Sequence, residues 1–249
     1  MTLLERCEMV DCKSVSTPIE LNYKKLCGSV AGPKLQNSSK YRQLVWALMF
    51  LVKSCPDIFF VVNMLIQVMV EPHHIYWIVA KNLLRYLRGT INYGLRYTVE
   101  GLRLHGYTDV EWDGSVVDRK IMSGCCFLLG STSVSWMNRK HKSAALTTAK
   151  VEYIATSMSC CEVAWLRKLF SALFEHVLDT IMIFCDNQSG IRVSDNLVFH
   201  DHSKHIDIRY HFICDIVQRG AIRLQHIKTD EKVANIFTKP LGKVKFLAF

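Results

Sequence analysis

The chain has 249 residues, half of them apolar, enough to bury a core in one large or two small domains and too apolar for a disordered tail. A formal charge of +9 points towards polyanions, with a merely soluble basic surface as the other reading. The 10 cysteines form no CxxC pair and read as reduced, mostly buried thiols of an intracellular chain, cytoplasmic or nuclear and not secreted; no apolar run reaches the roughly 20 residues of a spanning helix, so no membrane role is expected.

Residues 1–37 are polar, carry "STP" and "AGP", and read as an irregular connector. From Ser38 to about Lys53 apolar residues recur at helical spacing behind Ser38 or Ser39 as N-cap. A second amphipathic helix is expected from about His73 to Leu87, after Pro72 and before Gly89. Its last turns carry Lys81, Arg85 and Arg88 beside Tyr86, a solvated surface unless a phosphate backbone runs past it.

Near residue 100 the pattern changes to strand period. "LRLHGYTDV" ends near Asp109, and "SGCCFLLG" and "TSVSWMN" follow across a tight "GST" turn. A long helix is expected from about Thr148 to Phe174, with Val151, Ile154, Ala155, Met158, Cys161, Trp165, Leu169 and Leu173 on its apolar stripe. "IMIFCD" reads as a buried strand. A short helix through "NQSGIRVS", a helix from about Ser203 to Arg219 stopped by Gly220, a strand "AIRLQHI" and a last helix from about Asp230 to Thr238 follow. The fold class is therefore α/β: a mixed five-stranded sheet with helices on both faces, its first three strands antiparallel and later ones parallel to the first. A mainly helical segment precedes it.

Three acids stand in comparable settings: Asp109 ending the first strand, Glu152 opening the long helix, Asp186 ending the fourth strand. Adjacent parallel strands would bring Asp109 and Asp186 side by side, with Glu152 reaching in from above. Carboxylates that close repel one another unless a cation neutralises them, which asks for an oxygen-loving metal such as Mg²⁺. Each acid also has a plainer reading: Asp186 as the N-cap of the following helix, Glu152 as a helix-start acid favoured by the dipole, Asp109 as one of several exposed acids near Glu111 and Asp113. The spacing leaves both open.

"GYTDVEWDG", "DRKIMSGCCFLLG", "VSWMNRK", "KVEYIA", "FCDNQSG", "KHIDIRYHFI" and "ANIFTKPL" resemble, in order, the motifs of the ribonuclease H domain that ends copia-type LTR retrotransposon Pol polyproteins. "DCKSVSTPIE", "YRQLVWALMFLVKSCPDIFFVVN" and "AKNLLRYLRGT" resemble the segment after the reverse transcriptase palm. The resemblance implies a helical connector over residues 1–97 and a ribonuclease H-like domain over 98–249. It makes Asp109, Glu152 and Asp186 metal ligands for two Mg²⁺ or Mn²⁺ ions, which would hydrolyse the RNA strand of an RNA/DNA hybrid. The family has a further acid two positions before Glu152, where this chain has Lys150.

Its fourth acid falls at Asn235, whose amide brings no negative charge to a site that must balance two divalent cations, so weak or absent cleavage is expected. The alternative is a non-catalytic retroelement fragment that at most binds nucleic acid. No "YxDD" polymerase motif is present, so no DNA synthesis is expected from this chain, and the absent reverse transcriptase region is a possible packing partner for residues 38–88, whose helices would otherwise leave an apolar patch exposed. Arg119, Lys120, Arg139, Lys140, Lys142, Lys204 and Arg209 are candidate contacts to a nucleic-acid backbone. Trp136 lies close to Arg139, Lys140, His141 and Lys142 and reads as core or stacking platform. The histidines 200, 202 and 205 suggest zinc on spacing, and helix surface on the resemblance.

Overall fold

The computed structural model describes residues 3–23, 32–97, 103–111, 121–141, 148–175, 178–186, 191 and 204–247; of 148–150, 153 and 204–210 it describes the backbone. The chain forms two compact units. One holds the described residues up to Arg96 and the segment from Lys239; the other holds those from Tyr97 to Thr238.

The first unit is helical. After α1 (Leu3–Arg6), an irregular stretch follows, from which Ile19 and Tyr23 bury their side chains. Helix α2 (Ser38–Leu51) is capped one residue earlier than the serines suggested: Asn37 accepts from the Lys40 amide at 3.3 Å, the favoured arrangement for a short polar side chain at this position. Tyr41, Leu44, Val45 and Leu48 are buried, and the Tyr41 hydroxyl donates to the Leu65 carbonyl at 2.8 Å.

Leu65 belongs to α3 (Phe59–Gln67), a helix the β-branched run "FFVVNMLIQ" did not announce. The run is short and almost wholly apolar, so helix and buried strand read alike in it. Helix α4 (His74–Gly89) follows Pro72 as expected. On its basic face Lys81 and Arg88 are exposed; Arg85 Nε donates to the Lys13 carbonyl at 2.8 Å and Arg88 Nε to the Val10 carbonyl at 2.7 Å, while Tyr86 is buried. Those arginines tie the N-terminal stretch to the helix. Trp46, Phe50, Val70 and Ile78 are exposed apolar side chains. Among the described residues no helix is long and apolar enough to cross a membrane.

The second unit is built on β1 (Leu104–Glu111), β2 (Met122–Leu129), β3 (Thr132–Lys140), β4 (Ile181–Cys185) and β5 (Ile222–His226), in spatial order β3-β2-β1-β4-β5. The first three strands are antiparallel neighbours, whereas β1–β4 and β4–β5 are parallel. This is the mixed five-stranded sheet expected from the sequence. Helices α5 (Thr148–Phe174) and α6 (Lys204–Gln218) cover one face. There Cys160, Val163, Leu166, Ile213 and Ile216 meet Cys125, Phe127, Ile181, Ile183 and Leu224.

The α5 stripe lies about one residue round from the one expected. Val151, Ala155, Ser159, Cys160, Val163 and Leu166 are buried, while Cys161 is exposed and Trp165 and Leu173 are 52% and 64% exposed. Small polar residues take the positions closest to the sheet, Ser159 bonding back to the Ala155 carbonyl at 3.2 Å, so apolarity alone misplaces the face. The half-buried Trp136 pairs across from Cys126.

The C-terminal expectation also changes. Instead of an α-helix over residues 230–238, two 3₁₀ turns form, Thr229–Glu231 and Val233–Phe237, and a short helix follows at Lys243–Phe246. The second turn lies on the other face of the sheet. A Cβ at Gly124 would come within 2.8 Å of Thr238 and 3.0 Å of Phe237, so only glycine lets the turn settle onto β2. The helix expected through "NQSGIRVS" lies, apart from Ile191, outside the described residues, as do the histidines 200 and 202.

Candidate functional site

Strand register brings the two strand-end acids together. Tyr107 pairs with Phe184 between β1 and β4, and their rings stack with centroids 5.1 Å apart. Side chains alternate with period two, so Asp109 and Asp186, each two residues further on, emerge on that same face at the carboxyl ends of neighbouring parallel strands. Asp109 is 3% exposed and Asp186 half-buried. Across the sheet Asp109 pairs with Gly124, and Gly124 with Asn138, which sets Arg139 and Lys140 at the same sheet end; Arg139 is exposed and Lys140 half-buried.

The space between the two acids is filled by a lysine that sequence reading passed over. Lys232 is fully buried, with its Nζ 2.7 Å from Asp186 Oδ1 and in close contact with Asp109 Oδ1. The other two carboxylate oxygens are also taken: Thr238 Oγ1 donates to Asp109 Oδ2 and Thr229 Oγ1 to Asp186 Oδ2 at 3.0 Å. Asn235 Nδ2 donates to the Thr229 carbonyl at 2.6 Å, leaving the buried Oδ1 of Asn235 without a partner. All four oxygens of the acid pair thus accept from one ten-residue segment.

Thr229, Lys232, Asn235 and Thr238 are spaced three apart, and two 3₁₀ turns joined at the extended backbone of Lys232 bring Thr229, Lys232 and Thr238 onto the acids and Asn235 onto the Thr229 carbonyl. The three-residue spacing of polar residues inside "KTDEKVANIFTKP" was the available signal. An α-helical reading, with 3.6 residues per turn, spreads the same residues round a cylinder.

No family model matches the chain. It is 35% identical over its whole length to the retrovirus-related Pol polyprotein from transposon RE2 of Arabidopsis thaliana, covering 17% of that protein. It is 34% identical over 98% of its length to the corresponding polyprotein from transposon TNT 1-94 of Nicotiana tabacum, covering 19% of it. The chain belongs to the copia-type retrotransposon Pol family. It therefore spans under a fifth of the length of these Pol polyproteins. Among solved structures, RNase H1 from the halophilic archaeon Halobacterium salinarum is 13% identical with a TM-score of 0.38, over 52% of this chain and 88% of that one.

Within this cluster the charges reinforce one another. Burial alone would raise the Asp186 carboxyl, but hydrogen bonding to Lys232, its positive charge and the Thr229 hydroxyl together hold it below the usual carboxylate range. Burial would likewise lower Lys232, and the Asp109 and Asp186 carboxylates outweigh it, raising the ammonium above its ordinary value. Glu152 is half-buried near the start of α5. Among the described residues no three His, Cys, Asp or Glu side chains converge as a metal site. Of the basic candidates, Arg119, Lys120 and Lys142 lie outside the described residues, as do the side chains of Lys204 and Arg209.

Proposed function

We propose that this chain is a retrotransposon-derived ribonuclease H-like protein directed at RNA/DNA hybrids, with hydrolysis of the RNA strand strongly reduced. The observation that carries the reading is the pairing of Asp109 with Asp186 on adjacent strand ends under a bridging lysine. The paired acids are what a phosphodiester-cleaving site of this family needs; the lysine and Asn235 are what such a site does not need.

The family's chemistry calls on two Mg²⁺ or Mn²⁺ ions to activate water and to stabilise the leaving oxygen. The residues present do not fit that pair of ions. Two carboxylates already share an ammonium, the fourth acid is an amide, and the orphaned Asn235 oxygen offers one neutral ligand where a charge is called for. Asp109 and Asp186 are proposed as the remnant of the metal-binding set, with Glu152 its third member and Asn235 the degenerate fourth. Arg139 and Lys140 stand at the same sheet end and would position a nucleic-acid backbone through charge, without reading sequence.

A second reading, a retroelement fragment with no catalysis, is favoured by the complete engagement of the acid pair. Labelled RNA/DNA hybrid incubated with the full chain in Mg²⁺ and in Mn²⁺ separates the two. The proposal expects hybrid retention with no more than trace cleavage by the wild type, clear cleavage by the Lys232→Gln/Asn235→Asp double variant, and none once Asp186→Asn is added. Folded wild-type protein that fails to retain hybrid, or a folded double variant that cleaves no faster, overturns it.

A further inference from the structure

We infer that Lys232 is a built-in counter-ion, whose ammonium occupies the position between Asp109 and Asp186 that a divalent cation would need, so that the chain neutralises its own acid pair and takes up no metal there. The inference concerns metal uptake alone and does not depend on the chain binding a hybrid.

Three features carry it. The ammonium is wholly buried and touches one oxygen of each acid. Thr229 and Thr238 donate to the remaining oxygens, so an incoming cation would have to displace the ammonium and compete with two hydroxyl donors from the same segment. The Val233–Phe237 turn that joins Lys232 to Thr238 lies against β1 and β2, so moving one of these donors disturbs the other. A divalent ion admitted beside the ammonium would set like charges within a few ångströms in a poorly solvated place, where their repulsion is screened far less than in water. The lysine and the metal are therefore alternatives. Removing the charge of Lys232 should turn a metal-indifferent acid pair into a metal-responsive one.

The full chain, without nucleic acid, is titrated calorimetrically with Mn²⁺ and melted in EDTA, in Mg²⁺ and in Mn²⁺. Wild type should show no Asp186-dependent uptake of Mn²⁺ and the same melting temperature in all three buffers. Lys232→Gln should melt several degrees lower in EDTA, recover in either metal, and take up Mn²⁺. Lys232→Gln/Asp186→Asn should lose both the recovery and the uptake. Wild-type uptake of Mn²⁺ that Asp186→Asn abolishes overturns the inference. So does a folded Lys232→Gln chain that ignores the metal, and so does one that stays unfolded in every buffer, because the metal should replace the missing charge.

Discussion

Lys232 and Asp186, 46 positions apart in the sequence, meet at 2.7 Å with the lysine fully buried, and the same ammonium contacts Asp109. Removing one partner of a buried ion pair strands the others, at about 3–5 kcal/mol. Lys232→Met should therefore lower the urea-unfolding free energy of the Tyr97–Thr238 unit by about that amount. Adding Asp109→Asn and Asp186→Asn to it should restore much of the loss. A Lys232→Met chain as stable as wild type would show that the triad contributes nothing.

The two pKa displacements fix where in pH this contribution lies. Asp186 is depressed in the folded state, so its share is present above the ordinary aspartate value of about 3.9 and fades as pH falls through the folded value. Lys232 is raised, so its share is full below the ordinary lysine value of about 10.4 and fades as pH rises through the folded one. The stability gap between wild type and Asp186→Asn should be flat from about pH 5 to pH 9 and narrow beyond both ends. Chemical denaturation across that range measures it.

Gly124→Ala tests how closely the Val233–Phe237 turn sits on the sheet. Its Cβ would approach Thr238 and Phe237 at 2.8 and 3.0 Å, and overpacking of this kind costs about 1–3 kcal/mol. Amide exchange of residues 233–238 should accelerate in the variant, while that of β4 and β5 should change less.

In the first unit the Tyr86 hydroxyl donates to Asp57 Oδ2, whose carboxyl is raised by burial even though that bond pulls it down. Tyr86→Phe leaves a buried carboxylate short of a donor and should cost about 1–3 kcal/mol near neutral pH. The loss should shrink on acidification, because a protonated Asp57 needs the donor less. Urea unfolding of the variant at pH 7 and at lower pH measures both.

The sheet was legible because its determinants are local: period-two alternation, a tight turn at "GST", and strand–helix–strand order, which together place Asp109 beside Asp186. The bounds of α5, Thr148–Phe174, were legible too, but its buried face was not, since Ser159 and Cys160 pack inward and Trp165 outward. Helix α3 escaped because a short, nearly all-apolar and β-branched run reads equally as a buried strand. Asn235 was found by comparison with a motif; Lys232, three residues before it, was not, because its role depends on the extended backbone at which two 3₁₀ turns meet and on the absence of the neighbouring charge. The basic segments around residues 119 and 142, where hybrid contacts were expected, lie outside the described residues.

The most direct measurement is a crystal structure of the wild-type chain grown in excess Mn²⁺, with anomalous differences collected at the manganese edge. The account predicts no anomalous peak between Asp109 and Asp186, and continuous density for Lys232 bridging the two carboxylates. A manganese peak at that position, with Lys232 turned away, would contradict it.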